Sequence, residues 1–153
     1  KIAENARKMY QGSIFRGDGF LLTHEQALGL VSACNRNAAV IKKIINGKEI
    51  NSEPDQTPGR CTIDFFNMSE DQARNYEEPF AIVEALVRPV RMALKDDTAI
   101  NRDHRDRWWQ YAFVRENLYN NIRDLSRCFA AARTTKRSAS QAPPKKPWLE
   151  PTV

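Results

Sequence analysis

The sequence predicts an α+β fold: short strands and a β-hairpin packed with several helices, followed by a disordered proline-rich C-terminal tail. Three observations carry this. Two T/S-x-x-Q capping boxes, Thr23 with Gln26 and Ser69 with Gln72, mark helix starts. Short β-prone runs, "MYQGSIF", "FLLT" and "CTIDFF", lie between the helical patterns. After Lys136 the composition changes to "RSASQAPPKKPWLEPTV", with four prolines and no periodicity. This divides the chain into a domain at 1–136 and a tail at 137–153.

Along the chain, Met9 to Phe15 reads as a strand broken by Gly12. "RGDG" is a turn whose glycines accept positive φ, and "FLLT" completes a hairpin. A helix starts near His24, with Ala27, Leu28, Leu30 and Val31 on one face. A second is expected from Asn37 to about Ile45, because Val40, Ile41, Ile44 and Ile45 fit a 3.6-residue period with Lys42 and Lys43 opposite. Asn46-Gly47 is its stop. In the polar stretch "NGKEINSEPDQTPGR", Pro54 and Pro58 forbid a regular helix or central strand, and Cys61 to Phe66 is the next strand. Glu70 to Asn75 forms a short helix. "EPFAIVEALVRPVRMAL" is a longer one, with Pro79 in its first turn and a kink at Pro89. Lys95 to Asp106 reads as charged loop, Arg115 to Leu125 as helix and Cys128 to Thr134 as a last strand.

A chain of 153 residues, 41% hydrophobic and 28% charged, has enough material for one domain with a real core. Its net charge of +5 leans toward a polyanionic partner. Cys34, Cys61 and Cys128 are odd in number and widely spaced, with neither histidine beside them, so reduced thiols are expected rather than a disulfide framework or a zinc site. No apolar run approaches the roughly 18 residues of a membrane span, and "KIAENARKMYQGS" lacks the apolar core of a signal peptide, so a cytoplasmic protein is expected. The first residue is not Met, which suggests a fragment.

Motifs for catalysis are missing: no P-loop, no dinucleotide fingerprint and no G-x-S-x-G elbow. "RDHRD" is read as a solvated charge run. Asp64 is either one carboxylate of a metal site or an outward-facing strand position. Binding residues are plentiful. From Arg102 to Arg137 nine basic residues stand against four acidic, interleaved with Trp108, Trp109, Tyr111, Phe113 and Tyr119. Arginines suit phosphates; the aromatics suit either an extruded base or the core.

The blocks "QGS", "GDGFLLT", "RNAAVIKKIINGKEINSEPDQTPGRCTIDFFNMSEDQA", "YEEPFAIVEALVRPVR", "RWWQYAFVRENLY" and "ARTTK", in this order over residues 9 to 136, resemble the target recognition domain of MmeI-like, restriction–modification adenine-specific DNA methyltransferases, some of which act in phage defence. The resemblance implies a DNA-binding module that grips double-stranded DNA beside the methyltransferase catalytic domain of the same polypeptide. That partner domain binds the cofactor S-adenosylmethionine and methylates a flipped adenine. The family's NPP[FY] motif and cofactor glycines are absent here, so no catalytic residue, no cofactor and no metal is expected in this chain. After "ARTTK" the family pattern gives way to the tail, as in a truncated fragment. Within these blocks the pattern NG-x-[ED]-[IL]-NS-x-PDQ-x-P-x-R is long and specific; Arg60, which closes it, leads the expected DNA contacts. Asn51, Ser52 and Gln56 suit phosphate or base edges, and Arg107, Arg115, Arg133 and Lys136 suit phosphates. The alternative is a structural module that braces the methyltransferase domain without touching DNA.

Overall fold

A computed structural model describes residues 10–52, 58–126, 128–133 and 148–149. The fold is α+β: the described residues form seven α-helices around a three-stranded antiparallel sheet, and a separate two-stranded pair. The sheet is built from β1 (Leu21–Thr23), β2 (Ile41–Ile44) and β3 (Arg60–Ile63), in the order β1-β3-β2. Leu22 pairs with Cys61 and Lys43 also pairs with Cys61, so β3 is central and both neighbours are edges.

Where caps are written in the sequence, the helices start on them. Helix α1 (His24–Ala33) begins at Thr23, whose hydroxyl accepts from the Gln26 amide at 3.1 Å while the Gln26 side chain accepts from the Thr23 amide at 2.8 Å. Ser69 and Gln72 repeat the arrangement at α3 (Glu70–Arg74). Each box satisfies two donors that the first turn would otherwise leave open. The long apolar segment, expected as one helix kinked at Pro89, is instead broken into α4 (Glu77–Leu86) and α5 (Arg88–Met92), because Pro89 cannot continue the ladder of α4.

Four further expectations are corrected. Residues 37–45 are not a helix: Asn35–Ala39 is a 3-10 turn and Ile41–Ile44 is the edge strand β2. Asn46-Gly47 is not a stop but a start. The Asn46 side chain caps the Lys48 amide at 2.8 Å and Glu49 reaches back to the Asn46 amide at 3.2 Å, opening α2 (Gly47–Ser52). "MYQGSIF" and "FLLT" do not pair as a hairpin: Ile14 bridges to Phe113, and β1 pairs with β3. The turn between them is as sharp as expected, with Gly17 at φ 138°, where only glycine is at ease. Finally, the charged segment 95–106 contains α6 (Ala99–Asp106), capped by Thr98.

The last helix, α7 (Glu116–Ile122), and a two-residue strand, β4 (Cys128–Phe129), follow. Strand β4 pairs antiparallel with β5 (Trp148–Leu149); the rest of the segment expected to be disordered, 137–147 and 150–153, lies outside the described residues. The core joins sheet to helices through Phe20, Leu22, Val40, Ile63, Phe65, Phe80 and Val83, closed by Trp108, Trp109 and Tyr111. The aromatics of the basic segment are therefore mostly core. No helix among the described residues is long and apolar enough to cross a membrane.

Candidate nucleic-acid interface

The polar block after β2 folds into a corner. Arg60, the first residue of β3, is paired with Ile44, the last residue of β2, and this brings it beside α2. Its Nε and Nη2 donate to Glu49 Oε1 at 3.1 and 2.9 Å. The Arg60 side chain keeps 35% of its surface exposed against 10% for Glu49, so the ion pair is anchored at its acidic end and open at its basic end. Burial pushes the Glu49 carboxyl up, but hydrogen bonds from its own backbone, Arg60 and Asn46 outweigh it and hold the carboxyl below its ordinary value.

Asn51 and Ser52 lie in the last turn of α2, with Ser52 exposed, and Lys48 is exposed on the same helix. Arg133 arrives from the C-terminal side: a methyl added at Gly47 would stand 3.4 Å from the Ala132 Cβ, so Ala132 lies against α2 and exposed Arg133 follows it. Arg60, Asn51, Ser52 and Arg133 are thus gathered around one short helix. Gln56 and Lys136 lie outside the described residues.

Arg107 and Arg115 belong elsewhere. Arg107, just after α6, embraces Asp103 with Nε at 2.9 Å and Nη2 at 2.5 and 2.6 Å, so its guanidinium is engaged by a carboxylate as that of Arg60 is by Glu49. Arg115 donates to Gln11 Oε1 at 3.0 Å and lies over the Phe113 ring, 5.3 Å from its centroid. Arg107 lines a groove of about 370 Å3 together with Asn67, Ile100, Asp103, His104, Phe113 and Glu116, among others, and Arg115 falls in sequence between its lining residues Val114 and Glu116.

Sequence reasoning missed Glu49, the counter-ion of the leading candidate, although N-x-x-E at Asn46 to Glu49 is itself a capping pattern. It also put Lys42 and Lys43 on a helix. They are on β2, with Lys43 exposed and Lys42 opposite Thr62.

In the wall of the groove, His104 is 2% exposed and its Nε2 lies 3.2 Å from the Ala112 carbonyl. Arg91 is equally buried and donates to the Phe15 carbonyl at 2.9 Å. Burial first, then the positive charges of Arg91 and Arg16, push the His104 pKa below its ordinary value against the weaker pulls of the Ala112 carbonyl and Asp103. The neutral ring is what the fold accommodates. Its contribution is therefore complete above about pH 6.5, the unfolded value, and is lost as pH falls from there through the lower folded value. In melting series between pH 7.5 and 5, wild type should lose its advantage over His104→Gln as the solution is acidified. A difference independent of pH would refute this. Asp64, which titrates in both proteins, cancels.

No family model, no curated protein and no solved structure matches this chain.

Proposed function

We propose that this chain is the DNA-binding target recognition module of a site-specific adenine DNA methyltransferase of a restriction–modification or phage-defence system, working in the cytoplasm on double-stranded DNA. The methyltransferase catalytic domain and its S-adenosylmethionine are supplied by the parent polypeptide, and no residue of this chain is assigned to either. One observation supports the reading above the rest: the polar block that carries the family resemblance folds so that Arg60 packs beside α2, the helix that carries Asn51 and the exposed Lys48 and Ser52, and Arg133 follows Ala132 against the same helix. In this reading Arg60 grips a phosphate while Glu49 holds its guanidinium in place, and Arg107 and Arg115 have at most a secondary part.

A second reading, a brace for the catalytic domain that does not touch DNA, is favoured by exposed apolar side chains on α4 and α5: Leu86, Val90 and Met92. The two differ in their salt response. A module that neutralises phosphates loses affinity for duplex DNA along a log–log slope of about 0.9 per contact, and Arg60→Ala should flatten that slope by about one. Titrating a labelled duplex at several salt concentrations reads it. No binding at low salt by the wild-type chain would leave the brace as the better account.

A further inference from the structure

The open groove beside α6 is used by none of the above. It combines an apolar wall with two polar pairs. Ile100 of α6 and Phe113 both line it and both are exposed, at 53% and 37%. The His104 ring meets Phe113 edge-on, with centroids 5.6 Å apart. Its Nε2 donates to the Ala112 carbonyl, since a carbonyl only accepts, and this holds the ring in the wall. The first polar pair, Arg107 with Asp103, is closed on itself. The second is not. Asn67 Nδ2 donates to Glu116 Oε1 and joins the loop after β3 to the start of α7. Both residues are exposed. Asn67 keeps one N–H to donate and Glu116 keeps Oε2 to accept, and no other described residue engages either side chain.

These walls select a ligand. At about 370 Å3 the groove is near the lower end of ligand pockets, which run from about 300 to 1,000 Å3, so it has room for one small organic molecule. A phosphate would meet the carboxylates of Asp103 and Glu116. An organic cation would meet Arg107, and Arg115, whose guanidinium lies over the Phe113 ring at 5.3 Å. A wholly apolar ligand would strip water from the Glu116 carboxylate and replace none of its hydrogen bonds. A neutral flat ring with an N–H donor beside an acceptor satisfies every wall. We propose that this groove binds a single nucleobase-type ring. The ring lies against Ile100 and Phe113, its N–H donates to Glu116 Oε2, and its neighbouring acceptor takes the remaining Asn67 N–H. The site is separate from the α2 corner and does not depend on the DNA-binding reading.

The test titrates the full chain with adenosine and with purine riboside, which lacks only the amino group, and follows the NMR signal of the Asn67 side-chain amide. Adenosine should shift that signal saturably, with a midpoint of about 1 mM or below. Purine riboside should bind about tenfold or more weaker, because the Glu116 carboxylate is then left without its donor. Glu116→Ala should bring the two nucleosides to equal affinity, and Ile100→Asp should weaken both alike. Should either variant fail to fold, the comparison of the two nucleosides on the wild-type chain decides alone. A single-stranded oligonucleotide of adenines then separates two sources of the ring. Displacement of adenosine assigns an unpaired base of a strand, failure to displace it assigns the free nucleoside, and both keep the site. No saturable shift with adenosine, or equal binding of the two nucleosides by wild type, would overturn the proposal whether or not the chain binds duplex DNA.

Discussion

Trp108→Ala should cost about 3–5 kcal/mol of folding stability, a large part of the 5–15 kcal/mol available to a domain of this kind. Trp108 is 4% exposed and meets Phe80 and Trp109 edge-on, with centroids 5.4 and 6.0 Å apart. The Arg88 guanidinium lies over its ring at 5.4 Å. Deleting the indole leaves a cavity walled by α4 and by the turn after α6, and neither is free to collapse. Trp109 Nε1 and Gln110 Nε2 both donate to the Met68 carbonyl, at 3.0 and 2.9 Å, and pin that turn to the loop after β3. Urea unfolding should show a lower midpoint with little change of slope. The same experiment separates two roles that an adjacent tryptophan pair suggests. A base-stacking Trp108 would weaken DNA binding at full stability, whereas the buried ring predicts lost stability and unchanged binding in the fraction still folded. A loss under 1 kcal/mol would show that the ring is not in the core.

The local signals that succeeded are those with a short-range mechanism. Thr23 and Ser69 cap helices through residues three positions away, and Pro89 ends a helix by its own ring, so neither depends on the rest of the chain. The failure at 37–45 has an equally plain cause. Val40, Ile41, Ile44 and Ile45 satisfy a helical period, but β-branched residues also suit a strand, and a central β3 needing a second neighbour decided the matter. The charged α6 was missed because it has almost no apolar face. Its start was nevertheless written as Thr98 accepting from the Asn101 amide at 3.2 Å. At the candidate interface the residue types were legible and their engagements were not. Arg107 and Asp103 form an i,i+4 pair that follows once α6 is known. Arg60 and Glu49 meet only because a strand start is packed beside a helix, which no spacing rule gives.

Gly19→Ala should destabilise the protein by about 1–3 kcal/mol, although the position has an ordinary φ and a methyl group is the smallest addition possible. Gly19 sits in the 3-10 turn Asp18–Phe20 just before β1, pressed against the end of α4. A Cβ there would lie 2.6 Å from Leu86 Cβ, 2.7 Å from Val87 Cγ2 and 3.2 Å from the Leu86 carbonyl carbon. Two of these three atoms belong to the backbone or to a Cβ, so no rotamer change moves them aside. Leu86 is 58% exposed, and Leu86→Ala retains the clashing Cβ, so it should not rescue Gly19→Ala. Val87→Ala removes one clashing atom, so its combination with Gly19→Ala should fall short of the sum of the single costs. A double-mutant cycle by urea unfolding reads both pairs, and rescue by Leu86→Ala would mean that the turn and α4 are further apart than described. The cycle also bears on function. The α2 corner is held by the Arg60–Glu49 pair and the β2–β3 register, so folded Gly19→Ala protein should keep the wild-type salt slope on DNA, whereas a brace that docks through Leu86, Val90 and Met92 would be disturbed by the same displacement of α4.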